Sequence, residues 1–402
     1  MRVLQVVLGV AIIMAVFWDA FETLILPRRV SRRLQLASMF FRATWAGWVW
    51  VSRWVRRPSR RENYLSFYGP LSLLVLIAVW AVGMILGFAL LQAGGGRIRP
   101  PGSGRFPTVL YLSASSFFTL GLGDVVPGSP FARAVTVVES GAGFGFLALV
   151  IAYLPVLYQA FSRRESRISM LDERAGSPPS AGELLGRRGA AYYETGPQFL
   201  RDWELWAAEL MESHLSYPVL GYFRSQHDNQ SWVAALTVLL DGCALVLAAI
   251  DSIPPGQAQL TFAMARHATV DLAVIFGTPP TTPPNDRLPP EELERLRARL
   301  AEGGVTMATD EAAVEALTAL RDSYEPYVNA LSRHLQMPLP SWIPSRESLD
   351  NWEVTAWDAR RVGRIRRPVP TLIPPDPPPP IDPRGGPGRG AAPAAGDQSP
   401  NR

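Results

Sequence analysis

Thr119-Leu120-Gly121-Leu122-Gly123-Asp124 is the stretch on which the reading of this chain turns. Its two glycines alternate with bulkier residues. Successive carbonyl oxygens can face one axis only if every second residue reaches backbone angles closed to residues with a Cβ. A row of carbonyls turned to one axis replaces the water shell of a dehydrated cation. The surroundings of the six residues strengthen this reading. An apolar segment over 65–91 precedes them, a short amphipathic segment over 107–118 leads in, and a second apolar segment over 131–158 follows. Helix, re-entrant half-helix, irregular turn, helix is the arrangement in which non-helical backbone sits at membrane depth, because there it lines a water-filled axis. The fold class this predicts is an all-α membrane protein.

The run from Thr119 to Pro127 resembles potassium-channel filters of the form Thr-x-Gly-x-Gly-Asp-x-x-Pro, and Arg133, Glu139 and Gly143 stand where bacterial members often place an arginine, a glutamate and a hinge glycine. Residues 65–164, a quarter of the chain, are thus similar to the pore module of potassium channels, both the simple bacterial two-helix channels and the second pore loop of the two-pore-domain family. There are two departures. Leu120 replaces the commoner valine or isoleucine, and Leu122 replaces the commoner tyrosine or phenylalanine, whose hydroxyl, in tyrosine, braces the filter. The resemblance implies that Thr119, Leu120, Gly121, Leu122, Gly123 and Asp124 bind the permeant ion, potassium, with no cofactor and no resident metal. One pore loop per chain then requires four chains, a homotetramer in a lipid bilayer. Gly143 matches the family's hinge position, with close helix packing as the other reading of the Gly141, Gly143 and Gly145 cluster. Pro155 removes a backbone hydrogen bond further along and is expected to kink the helix where a gate would lie.

Composition narrows the remaining classes. The chain has 402 residues, and its 48% hydrophobic content is concentrated in the first 160, which reads as a membrane half followed by a soluble half. Every basic residue is arginine, the formal charge is only +4, and the arginines cluster beside apolar segments instead of on an aromatic face, so nucleic acid is not an expected partner. The single cysteine, Cys243, excludes an intrachain disulfide and a cysteine metal cluster. His214, His227, His267 and His334 show no metal-ligand spacing, and no catalytic set emerges, so the chain is not read as an enzyme.

Residues 1–27 are expected to form an amino-terminal transmembrane helix. The apolar stretch over 3–26 is long for a signal core, lacks an Ala-x-Ala site and closes on Pro27-Arg28-Arg29. Residues 28–64 carry ten arginines against one acid, Glu62, which puts this segment in the cytoplasm beneath the plasma membrane and the amino terminus outside. Its middle, 34–55, holds Trp45, Trp48, Trp50 and Trp54, and is read as an amphipathic helix in the interface in preference to a further span. The pore module occupies 65–160: outer helix 65–91, pore helix 107–118, filter 119–124, inner helix 131–158. Arg163 and Arg164 close the last on the cytoplasmic side. A cytoplasmic helical domain is predicted over 161–367, with periodic segments at 197–214, 230–250, 257–276, 290–301 and 310–335, and a disordered proline-rich tail over 368–402. Residues 231–250 are apolar enough to span, but Asp241 at their centre would cost ~2.5–3.5 kcal/mol in a bilayer, so a buried core helix is predicted.

Several polar residues stand out against these helices. Asp19 and Glu22 are expected to pair with Arg28, Arg29 or Arg32. Glu139 is expected near the hydroxyls of Ser115 and Ser116, as a structural buttress or as a proton-sensitive gating element. Asp241, Arg266, His267 and Asp271 read as a satisfied buried network or as a site for an unidentified ligand or protein partner. The functional expectation is a potassium-selective channel. Its alternative is a non-conducting, channel-like scaffold for the helical domain.

Overall fold

The computed structural model describes residues 1–24, 36–100, 105–187, 192–227, 229–283 and 285–344. The expectations for Arg28, Arg29, Arg32 and Arg33, for 345–367 and for the tail over 368–402 fall outside the described residues.

Helices α1 (Arg2–Leu24) and α4 (Tyr68–Gly95) run antiparallel in close contact. Gly83, Gly87 and Gly94 line one face of α4, and Gly9 meets them from α1. A Cβ on Gly87 would stand 2.6 Å from Cγ1 of Ile13, and one on Gly9 would stand 2.6 Å from the Gly87 carbonyl oxygen. Small residues let the two backbones approach where no hydrophobic effect drives helices together. Asp19 is buried at this seam. Its Oδ2 accepts from Trp80 Nε1 (2.9 Å) and its Oδ1 from the backbone N–H of Ala37 (3.2 Å), so both oxygens have partners among the described residues, and the expected partners Arg28, Arg29 and Arg32 lie outside them. Glu22 accepts from Trp18 Nε1 at 2.7 Å.

Ala37 opens α2 (Leu36–Ser52), which runs back along α3 (Pro58–Ser66) and the base of α4. Its aromatic side chains largely meet protein. Phe41 and Trp45 are buried against Tyr68 and Tyr222, Trp45 Nε1 donates to the His334 carbonyl at 2.8 Å, and Trp48 stacks on Tyr64 with ring centroids 4.6 Å apart. Trp50 and Trp54 remain exposed. Helix α2 therefore joins the first two long helices to the carboxy-terminal domain.

After α4 the chain forms a two-residue antiparallel pairing, β1 (Ile98–Arg99) with β2 (Val126–Pro127), that closes the loop around α5 (Phe106–Phe117). Helix α6 (Pro130–Ala175) starts at Ser129, whose hydroxyl accepts from the Ala132 N–H. It does not end near Tyr158 as predicted. It continues through Pro155 and past Arg163 and Arg164, because Arg164 turns inward and finds partners in the carboxy-terminal domain.

That domain packs α7 (Ala181–Gly186), α8 (Tyr192–Ser216), a 3₁₀ turn (Pro218–Tyr222), α9 (Trp232–Ala249), α10 (Pro255–Ile275), α11 (Pro290–Glu302), α12 (Glu311–Asp322) and α13 (Glu325–Leu335). Among the described residues four stretches are long and apolar enough to cross a membrane: α1, α3–α4, α6 and α9. In α9 the apolar window is 89% buried inside the protein, so its apolarity is that of a core helix, whereas in α6 only 17% is buried and the surface is left for lipid or other chains. Asp241 in α9 accepts from Arg287 Nη2 (2.6 Å) and from the Tyr324 hydroxyl (2.6 Å). Burial and this carboxylate push the Tyr324 hydroxyl well above its usual range. The single helix expected over 310–335 is two helices, broken at Tyr324. Pro326 sits in the first turn of α13, where its missing N–H is harmless, but it cannot continue a helix begun earlier.

Gly87→Val is expected to destabilise the protein by about 1–3 kcal/mol through overpacking at the α1–α4 seam. Gly47→Ala in α2, where a Cβ meets nothing within 4 Å, should be neutral or slightly stabilising. Thermal unfolding of the detergent-solubilised protein checks both.

Candidate functional site

Helix α5 ends against the middle of α6. A Cβ on Gly143 would collide with the Phe117 carbonyl, and Ser140 Oγ donates to the Ser116 carbonyl at 3.1 Å. Gly143 lies thirteen residues into α6, about 20 Å from its start at ~1.5 Å per residue, so α5 stops well within the ~30 Å that α6 would need to cross a hydrocarbon core. The chain leaves α5 with the N–H of Thr119 bonded to the Ser116 carbonyl (3.1 Å) and that of Leu120 to the Ser115 carbonyl (2.8 Å).

From there the backbone alternates in handedness. Thr119, Gly121 and Gly123 have φ of 57°, 62° and 81°, while Leu120 and Leu122 between them do not. Left-handed angles are costly for a β-branched residue such as Thr119, and that cost is found where a site over-determines the backbone. Alternation turns successive carbonyls toward one side. None of the carbonyl oxygens of residues 119–123 accepts a hydrogen bond from the described residues. Leu120 and Leu122 are 62% and 63% exposed in the single chain. At the far end Tyr111 donates to Asp124 Oδ1 (3.2 Å), which also accepts from the Val125 N–H (3.0 Å). A tyrosine of α5 thus braces the turn that has leucine at position 122.

Behind the turn Glu139 is fully buried. Its partner is Ser113, not Ser115 or Ser116. Ser113 faces α6 and α4, and its hydroxyl reaches both Glu139 Oε1 and the Ile85 carbonyl (2.8 Å), while Ser116 Oγ donates within α5 to Leu112. Glu139 Oε2 is buried without a hydrogen-bond partner among the described residues. The pairing was missed in the sequence because it depends on which serine of one helical turn faces α6.

Residues 72–159 match the family model described as "Ion channel". No curated protein and no solved structure matches the chain. The ion-channel segment takes in α4 from Ser72, all of α5, the alternating turn and α6 as far as Gln159, and with it comes ion movement across a membrane. The rest of α6 packs against α7, α8 and α9.

The junction of the two is built on Arg164. Its Nε donates to Glu165 (2.9 Å), its Nη1 to the Leu220 carbonyl (2.9 Å) and its Nη2 to the Phe223 carbonyl (2.7 Å). His214 lies 3.2 Å from Nη1. The His214 Nδ1–H donates to the Leu210 carbonyl at 2.8 Å, which leaves Nε2 to accept from Arg164. Burial, reinforced by the Arg164 charge, holds His214 down at about 3. Beside this segment Arg224 ties Glu62 (2.5 Å) to the Leu335 carbonyl (2.7 Å). In the sequence Arg164 reads as the cytoplasmic end of a span, and Arg224 does not stand out.

The four polar residues grouped earlier separate. Asp241 belongs to the Arg287–Tyr324 network, whereas Arg266, His267 and Asp271 line a surface groove of about 800 Å³. Among the described residues no three His, Cys, Asp or Glu side chains gather in a way that could hold a metal ion.

His214 gives a pH test. The folded protein keeps it neutral, and the unfolded chain protonates it near pH 6.5. Stability from this site is complete above pH 6.5 and is lost as pH falls toward the folded value, by up to about 1.4 kcal/mol per unit. His214→Gln, which keeps a donor for Leu210 and an acceptor for Arg164, should flatten thermal stability between pH 7 and 5.

Proposed function

We propose that four copies of this chain form a potassium-selective channel in the plasma membrane. The amino terminus lies outside, and the carboxy-terminal helical domain lies in the cytoplasm and governs the pore. The observation that carries this is the left-handed alternation at Thr119, Gly121 and Gly123, with carbonyls that no described group engages. A backbone of this form at membrane depth is stable only where it lines a filled axis, and one chain supplies one side of it. Thr119 adds a hydroxyl at the inner end. Arginines beside the inner ends of the spans, at Arg53, Arg56, Arg57, Arg60 and Arg163, support the topology. Glu139 ties α6 to α5 behind the filter, and Gly143 and Pro155 are where α6 would bend to gate.

The decisive experiment is cation flux from proteoliposomes. The wild type should pass potassium and largely exclude sodium. Gly121→Ala places a Cβ at φ 62°, at a cost of roughly 1–2 kcal/mol in each chain, and should abolish flux while native mass spectrometry still finds a tetramer. A wild type that passes neither cation, and is indifferent to Gly121→Ala, would make the assembly a structural platform.

Glu139 yields a second test. Glu139→Gln retains the shape and an acceptor for the Ser113 hydroxyl and should assemble normally. Glu139→Val leaves Ser113 facing an apolar wall, and should cost about 1–3 kcal/mol and weaken tetramer retention in detergent.

A further inference from the structure

A cavity of about 490 Å³ lies between α6 and α8, within the size range of small-ligand pockets. Val156 and Ala160 of α6 form part of its apolar wall, within about a turn and a half of Pro155. Arg163, Trp206, Glu209 and Glu212 supply much of its polar lining. Trp206 is 1% exposed, yet its indole N–H has no acceptor among the described residues. The indoles of Trp45, Trp48, Trp80 and Trp232 each donate to a carbonyl or carboxylate, whereas those of Trp206 and Trp342 are buried without an acceptor among the described residues, and of these two Trp206 lines this cavity.

The charges beside it are also uncommitted. Arg163 and Glu209 have no ion-pair or hydrogen-bond partner for their side chains among the described residues, and Glu212 accepts only the hydroxyl of Ser216 at 3.3 Å. Arg164, at the same wall, is fully engaged elsewhere. The site therefore offers two donors, an indole N–H and a guanidinium, next to two carboxylates, with hydrocarbon on one side. It stands where α6 passes from its exposed apolar stretch to its first arginine, the depth of phospholipid head groups.

We propose that this cavity binds the head group of phosphatidylethanolamine, its phosphate received by Arg163 and the Trp206 N–H, its ammonium by Glu209 and Glu212, and its glycerol end by Val156 and Ala160. A primary ammonium donates hydrogen bonds to carboxylates, and the trimethylammonium of phosphatidylcholine does not. A lipid in this position holds α8 against α6 just past Pro155. The inference rests on the membrane reading of α6 and is independent of ion selectivity.

The test uses the full chain in detergent, titrated with phosphatidylethanolamine, phosphatidylcholine or phosphatidylglycerol of identical acyl chains and read by native mass spectrometry. Phosphatidylethanolamine should be retained about tenfold more strongly than phosphatidylcholine. Trp206→Phe, which keeps an aromatic ring and removes the donor, should lower its retention by a similar factor. Glu209→Gln with Glu212→Gln, at exposed positions that leave the fold intact, should erase the preference over phosphatidylcholine. Equal retention of all three lipids, or no change in Trp206→Phe, would overturn the proposal. Thermal stabilisation by free phosphoethanolamine without retention of the lipid would assign the cavity to a soluble ligand and overturn the lipid as its source. None of these readouts involves current, so a failure here leaves the channel reading standing.

Discussion

Backbone that leaves regular helix inside a bilayer must find partners for its carbonyl oxygens, since each one left unsatisfied costs several kcal/mol. The chain meets this constraint at residues 119–123 in an unusual way. It gives the N–H groups of Thr119 and Leu120 to the end of α5 and leaves the carbonyls turned to one side. Everything around the turn fixes that choice. Gly143 lets the end of α5 touch α6, Ser113 and Glu139 join α4, α5 and α6 in one buried contact, and Tyr111 with Asp124 holds the far end. A residue pair in which one hydroxyl serves two acceptors, next to a buried oxygen without a partner, concentrates polar energy behind the turn, where a small shift of α6 is felt.

The same helix carries that shift out of the membrane half. Because α6 does not stop at Tyr158, the apolar stretch and the helix that enters the carboxy-terminal domain are one rod. Arg164 bolts the rod to the carbonyls of Leu220 and Phe223. One residue on, Arg224 bolts the same strap to Glu62 and to the end of α13, and Tyr222 sits among Phe41, Trp45 and Tyr68. Residues 220–224 thus lie between α6 and the helices that open the chain, and a rearrangement of the carboxy-terminal helices has a short, buried route to α6. Charges buried this completely are costly unless fully paired, which makes the strap a place where a change in partners has large consequences.

Much of this was legible in the sequence, and the reasons for the misses are physical. The long apolar helices, the alternating turn and the helical periodicity of the second half follow from local composition, and Asp241 marked α9 as a core helix despite its hydropathy. Local composition does not reveal what a polar side chain meets across space. Arg164 read as the end of a span because nothing nearby in the sequence announces the carbonyls of Leu220 and Phe223. Tryptophan serves lipid head groups and protein cores alike, so composition did not reveal that Trp45 is buried against Tyr68 and Tyr222 while Trp50 stays exposed. Two signals were present and unread: the four-residue spacing of Gly83 and Gly87, which matches a helix seam, and Pro326, which requires a helix start near 325. The ion-channel segment was readable because its chemistry is made of backbone, and glycine spacing writes backbone conformation directly into sequence.

Anomalous diffraction from crystals of the assembled protein grown in thallium or rubidium salts would test the central claim most directly. The account predicts a row of anomalous peaks on a four-fold axis, at the level of the Thr119 hydroxyl and the carbonyls of Thr119, Leu120, Gly121 and Leu122, spaced by about one residue of extended chain, roughly 3 Å. A symmetric assembly whose axis at this level carries no such peaks, or in which these carbonyls are bonded to protein groups of a neighbouring chain, would contradict it.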